Sequence, residues 1–278
     1  MEARDVAALE EEIEKSLGDP FCRPWTGTPA DSFGRVEGTH GLTASNVAKY
    51  DGFHGLVVFA EHNPLHFTLE EVSGYLEMAL EWARRAHAED PQAKYPFIMW
   101  NCLWKSGASI IHGHVQMTLS RDMHYAKLES LRRAVLNYRA CYESDYFADL
   151  MEVHRALGLA HRLGTAEVLS YLTPIKEKEL LILDEGISSD MVEAIYSALR
   201  CFQERLGVQS FNLAIGLPPL AAVEEDWSGF PVLARLVDRG DPLNRTADIG
   251  AMELYAASVI ASDPFRVAQA LSPYFPQG

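Results

Sequence analysis

The sequence predicts an α+β fold made of two related halves, an antiparallel sheet with helices packed on one side. Three observations carry this expectation. Short apolar runs rich in β-branched residues alternate with long stretches of helical periodicity. The order strand, helix, strand, strand occurs twice. The corresponding starts lie a near-constant distance apart: 124 residues from Gly55 to Glu179, 120 from Thr68 to Ser188, and 115 from Tyr95 to Ser210. Spacing of this kind indicates structural duplication with small insertions, not a short tandem repeat.

The elements follow in order. An acidic, helix-prone N-terminus (MEARDVAALEEEIEKSL) leads into the Pro- and Gly-rich loop GDPFCRPWTGTPADSFG. HGLVVFA, residues 54–60, reads as a buried strand. Residues 68–90 read as a helix: Thr68 and Glu71 form a capping box, and Val72, Tyr75, Leu76, Ala79, Leu80 and Ala83 make one apolar stripe. YPFIMWN (95–101) and IIHGHVQMTL (110–119) are the next two strands. A helical stretch over residues 125–163 joins the halves. The second half has a strand at 179–185, a helix at 188–207 capped by Ser188 or Ser189, and a strand at 210–216. Residues 230–239 stand where the His-bearing strand stands in the first half. A strand and a short helix close the chain. The first half spans residues 1–135 and the second 136–278, packed as one unit.

Composition narrows the function. A chain of 278 residues, 48% hydrophobic, has ample core for such a fold. No apolar run is long enough to span a bilayer. The acidic start lacks the basic and apolar segments of a secretory signal. The four cysteines, Cys22, Cys102, Cys141 and Cys201, are scattered without a CxxC pair, so a reducing cytoplasm is expected. A net charge of −15 argues against nucleic acid or an anionic membrane as partner. An anionic small molecule then has to be held by local donors.

The segment SGASIIHGHVQMTLS, residues 106–120, carries the chemistry. A strand turns alternate side chains to opposite faces. One face is Ile111, Gly113, Val115, Met117 and Leu119. The other is His112, His114, Gln116 and Thr118, with neighbours roughly 6.6 Å apart. A polar face on an otherwise buried strand suits a cleft, and the small-residue loop at 106–109 lets a phosphate approach backbone N–H groups. Such a face supports phosphoryl transfer through a histidine nucleophile, which forms a phosphoramidate while its second ring nitrogen is held by an acceptor. Gln116 can donate to a phosphoryl oxygen without titrating. Two other readings of the same spacing stand beside this one: a metal site, since both imidazoles project to one side, and a structural histidine pair.

The pattern Asn101, Ser109, His112, His114, Gln116 resembles the active-site signature of the galactose-1-phosphate uridylyltransferase family. That family includes the ADP-glucose and diadenosine tetraphosphate phosphorylases of the histidine-triad superfamily. GFHGLVVFAEHNPLHFTLEEV extends the resemblance upstream, and it covers Cys22 to about Leu271. It implies two histidine-triad-like repeats, the second degenerate, and a nucleotidyltransferase. A nucleotide-sugar or dinucleoside polyphosphate would give its nucleoside monophosphate to His114, and a phosphate or sugar 1-phosphate would accept it. By the same resemblance the carbonyl of His112 orients His114, Gln116, Ser109 and Asn101 contact phosphate oxygens, and Asn46 contacts the nucleotide. Lys105 is a phosphate candidate by proximity alone. Arg235, Arg239 and Arg245 are candidates for a sugar phosphate, each with the alternative of a surface arginine.

Departures from the family pattern matter. Its structural zinc is held by a CxxC pair, a histidine before the helix that here spans residues 68–90, and the first histidine of the signature. Here Cys22, His62 and His112 match, and Trp25 stands in the place expected for the second cysteine. Three ligands make a poor closed zinc site, so no cofactor is expected and zinc is disfavoured. Gln116, where hydrolytic relatives carry a third histidine, favours transfer over hydrolysis. A nucleotide hydrolase and a non-catalytic nucleotide- or metal-binding protein remain the alternatives. A homodimer is compatible with this reading.

Overall fold

A computed structural model of the chain describes residues 3–246, 249, 252, 253 and 256–276. The helices are α1 (Ala3–Glu14), α2 (Pro24–Gly27), α3 (Leu69–Glu89), α4 (Ala126–Tyr142), α5 (Tyr146–Ala156), α6 (Ser189–Glu204) and α7 (Pro264–Leu271). The strands are β1 (Glu37–Gly38), β2 (Gly41–Ser45), β3 (Phe53–Phe59), β4 (Tyr95–Cys102), β5 (His114–Ser120), β6 (Ala160–Leu163), β7 (Ala166–Ser170), β8 (Leu180–Asp184), β9 (Phe211–Gly216) and β10 (Val232–Asp238).

Among the described residues the ten strands form one sheet in the order β1-β2-β3-β5-β4-β9-β10-β8-β7-β6. Each pairing is antiparallel. The order from β2 to β4 is mirrored from β9 to β7, so the two halves meet edge to edge at the β4–β9 seam, where Asn101 faces Asn212. The α+β class and the duplication are therefore realised as a single sheet. The division at residue 135 falls inside α4.

Alternation along the strands sets what each face buries. Val115, Met117 and Leu119 of β5, Ile98 and Trp100 of β4, Leu213 and Ile215 of β9, and Ala234 and Leu236 of β10 pack in one core with α3 and α6. Apolar burial on this scale, at about 25 cal/mol per Å², is the main stabilising term. The helix α3 begins as the capping box predicts: Thr68 Oγ1 accepts from Glu71 N, and Glu71 Oε2 accepts from Thr68 N. Ser188 caps α6.

Three expectations change. The His-bearing strand β5 starts at His114, not Ile110, because Gly113 pairs outside the regular ladder, its carbonyl with Phe59 N and its N–H with the His62 carbonyl. The segment 125–163 is two helices followed by strand β6 rather than helix throughout. These two helices also lie on the opposite face from α3 and α6. There Leu128 and Val135 of α4 and Phe147 of α5 cover Leu169, Leu181, Leu183 and Leu233. The short outer strands β2 and β7 escaped the sequence reading. The closing strand partly lies outside the described residues, and 256–262 contain none; α7 is present as expected.

Two predictions follow from this frame. Thr68→Ala removes one cap and should cost about 1 kcal/mol, read as a lower denaturant midpoint with unchanged slope. Glu129, buried on α4, takes hydrogen bonds from Arg132 and Arg133, which hold its carboxyl down to about 2. A depressed folded-state value stabilises above the unfolded value and is lost as pH falls. Stability should thus drop between about pH 4.5 and pH 2, and Glu129→Gln should shallow that slope. An unchanged slope would show that the Glu129 cluster is not linked to folding.

Candidate functional site

The site lies on the face of the first half that α3 does not cover. From β5 it receives His114, Gln116 and Thr118, and from β3 it receives His54, Leu56 and Val58, with His114 opposite Val58 and Gln116 opposite Leu56. Phe21, from the turn after Asp19, packs with Ala44, Leu56 and Val58 and roofs the site. Its ring meets His114 edge-on, with centroids 5.2 Å apart.

His114 Nδ1 lies 2.9 Å from the carbonyl oxygen of His112. A carbonyl only accepts, so Nδ1 carries the proton and Nε2 keeps its lone pair. Burial pushes the imidazole's pKa below its ordinary value, which keeps the ring neutral. Gly113 between the two histidines has a steric cause: a Cβ there would stand 2.3 Å from the Phe59 ring.

The His112 ring contributes to a second cluster. Its Nε2 donates to the Phe59 carbonyl at 2.9 Å. His62 Nε2 likewise donates to the Ile13 carbonyl at 3.2 Å, with Ser16 Oγ at 2.9 Å. Both Nδ1 lone pairs then face one another at 3.0 Å, an arrangement that calls for a cation between them. Cys22 Sγ lies 3.4 Å from His62 Nδ1 and 3.6 Å from His112 Nδ1. The fourth donor is Asp19, whose Oδ1 is 3.7 Å from His112 Nδ1. Its other oxygen is buried without a hydrogen-bond partner. The four ligand atoms lie within 4.8 Å of one another. Ligand separations around tetrahedral zinc are roughly 3.3–3.8 Å, given metal–ligand bonds of about 2.0–2.3 Å. The donor set and its orphaned carboxylate oxygen fit a zinc ion.

The structure thus adds a fourth candidate donor, Asp19, to the three expected from the sequence. Trp25 is 59% exposed, under the guanidinium of Arg35, and is no substitute for a ligand. The candidate ligand pair is Asp19 and Cys22, spaced as DxxC, with the Asp19 carboxylate also accepting from Phe21 N and Cys22 N to tighten the turn. The spacing was visible in DPFC, but a search for cysteine alone passes over it.

The other predicted residues sort into two groups. Asn46 joins the site: its Nδ2 reaches Gln116 Oε1 at 3.4 Å. Asn101, on the same face of β4 as Met99 opposite Gln116, accepts from Asn212 Nδ2 at 2.6 Å across the seam. Asn212 Nδ2 also donates to the Ser106 carbonyl, and Arg239 donates to Asn212 Oδ1. The second half thus braces the 106–109 loop. Ser109 is exposed in that loop. The loop is set by Leu103, buried at a left-handed φ of 66°, and by Gly107 at 98°. Lys105 is directed elsewhere: its ammonium is taken up by the carbonyls of Asn244 and Thr246. Arg235 pairs with Glu179 and stacks on Tyr171. Arg245 is exposed. Sequence reasoning missed Asp19, His54 and Asn212, because their roles depend on contacts between distant segments.

Among the described residues no helix is long and apolar enough to cross a membrane. No protein-family model matches the chain, and no curated protein matches it. Solved structures do. An ADP-glucose phosphorylase from Arabidopsis thaliana, with bound ADP-glucose, superposes with a TM-score of 0.71 at 15% identity, covering 91% of this chain and 88% of that one. A uridylyltransferase gives 0.71 at 14% identity over 89% and 88%. A galt-like protein from Arabidopsis thaliana gives 0.69 at 15% over 92% of each chain. With its mirrored ten-stranded sheet, this chain has the fold of the ADP-glucose phosphorylase and uridylyltransferase structures.

Proposed function

We propose that the protein is a nucleotidyltransferase that works through a covalent nucleotidyl-histidine on His114. The observation that carries this reading is the hydrogen bond from His114 Nδ1–H to the His112 carbonyl, which leaves Nε2 as the nucleophile of a neutral, buried ring. In the first step Nε2 attacks the α-phosphorus of a nucleotide donor. A P–N bond forms and the P–O bond to the departing phosphate or sugar phosphate breaks. In the second step an oxygen of a phosphate or sugar 1-phosphate attacks the same phosphorus and releases His114. The Gln116 amide donates to the phosphoryl oxygens on which charge develops. Since the superposed phosphorylase holds ADP-glucose, a nucleotide-sugar is the donor class favoured here.

Incubation with ADP-glucose or UDP-glucose labelled in the α-phosphate, without acceptor, should trap one nucleoside monophosphate per chain in an acid-labile, base-stable bond. His114→Ala should abolish labelling and turnover, and His114→Gly should recover part of the turnover with added imidazole. His112→Ala keeps the carbonyl and should retain some labelling if the strand stays folded. Labelling that survives in His114→Ala would move the nucleophile elsewhere. Labelling by neither sugar nucleotide, nor by dinucleoside polyphosphates, would favour the binding-protein alternative.

We further propose that zinc occupies the Asp19, Cys22, His62 and His112 cluster in a structural role. There it would fix the His112 ring, and with it the strand entry whose carbonyl orients His114. Protein purified without chelator should carry one zinc per chain by emission spectrometry. Asp19→Ala should lower zinc content and thermal stability together. Full zinc retention in Asp19→Ala would remove Asp19 from the ligand set.

A further inference from the structure

Among the described buried titratable side chains outside the signature, His54 is the one hydrogen-bonded to Gln116. It sits on β3 with no exposed surface. Its Nδ1 accepts the backbone N–H of Tyr50 at 3.1 Å. A backbone N–H cannot accept, so the proton of this ring belongs on Nε2. That Nε2 lies 2.9 Å from Gln116 Oε1. The Tyr50 ring stacks on the imidazole, with centroids 4.7 Å apart, and fixes its plane. Asn46 adds a second donor. Its Oδ1 is occupied by Ala48 N–H at 2.9 Å, which turns its Nδ2 toward the same Gln116 oxygen. The two donors, 3.0 Å apart, converge on Oε1.

A glutamine amide has one acceptor oxygen and one donor nitrogen. With Oε1 held by His54 and Asn46, the NH2 group has to point the other way, along the face it shares with His114. The flipped amide would set donor against donor at His54 and lone pairs against an anionic phosphoryl group, both unfavourable in a buried site. We propose that His54 is a positioning residue that locks the Gln116 amide with its NH2 toward the reacting phosphoryl group. This rests on the reading of His114 as nucleophile. Without the lock, Gln116 would divide its time between a donating and a repelling orientation.

The test compares His54→Met, which has no donor, with His54→Gln, whose amide nitrogen can stand near the place of Nε2. Each is measured alone and in a Gln116→Ala background. Single-turnover labelling of His114 by α-phosphate-labelled ADP-glucose gives the rate, and ligand titration gives the affinity. His54→Met should slow labelling by about tenfold or more with little change in affinity. His54→Gln should recover most of that loss. In Gln116→Ala the His54→Met change should have no further effect on rate. Equal losses in the two His54 variants, or the same loss with Gln116 already removed, would overturn the proposal. Nitrogen NMR supplies a readout that needs no turnover. The His54 ring should be the Nε2–H tautomer, and the Gln116 side-chain amide resonance should shift in His54→Met. An Nδ1–H tautomer, or an unmoved Gln116 resonance, would overturn the lock. Wild-type protein that never labels would instead overturn the nucleophile reading and leave the NMR result to decide the orientation of Gln116.

Discussion

Three consecutive residues, His112, Gly113 and His114, carry constraints from both sides of the sheet, and the site is arranged around them. The carbonyl of His112 sets the tautomer of His114 while its ring enters the cluster with His62, Cys22 and Asp19. Gly113 has no side chain because the Phe59 ring fills that space, and its backbone ties to Phe59 and His62. Any shift of this segment moves the carbonyl that holds His114 and the ring that closes the cluster together. Strand pairing on both sides of β5 then fixes the rest of the face: β3 brings His54 against Gln116, and β4 places Asn101 on the same side.

The two halves share a frame and differ in what covers it. In the first half the face opposite α3 carries His114, Gln116, Thr118 and His54. In the second half the corresponding face carries Leu181, Leu183 and Leu233 beneath α4 and α5. Arg235 projects from β10 on that face, but its charge is met by Glu179 and the Tyr171 ring. The connection between the repeats thus turns one of two equivalent faces into core. The second half still serves the first through the seam, where Asn212 and Arg239 hold Asn101 and the 106–109 loop. The proposed function asks a chain of charge −15 to hold an anion. Under the proposed reading its donors around His114 are neutral amides held in place by hydrogen bonds, and Lys105 is committed to carbonyls at residues 244 and 246.

Much of this was legible in the residues. The spacing between apolar runs disclosed the duplication, since packed repeats keep their element lengths. The Thr68–Glu71 pair marked the start of α3 because a capping box is a local contact. Alternation along 111–119 separated a core face from a chemical face. Less legible were β2 and β7, whose GLTAS and AEVLS carry fewer large apolar residues than the equally short LLILD of β8. The end of the connecting segment read as helix because β6 is formed by pairing with β7, which no local propensity reports.

By itself the sequence determined the period of the elements and the polar face of β5, because these depend on neighbours within a few positions; the link from His114 to the His112 carbonyl was implied only by the family resemblance. Only the tertiary structure decided which residues complete them. Asp19 becomes the fourth donor of the cluster because the turn after α1 folds back onto His62 and His112, segments 43 and 93 positions away in the chain. His54 acquires its role because β3 lies beside β5 in a register that sets its ring against Gln116. Asn212 reaches Asn101 because two repeats join edge to edge. Contacts between distant segments leave no periodic trace in the sequence, so the geometry that makes these residues partners exists only once the sheet has formed.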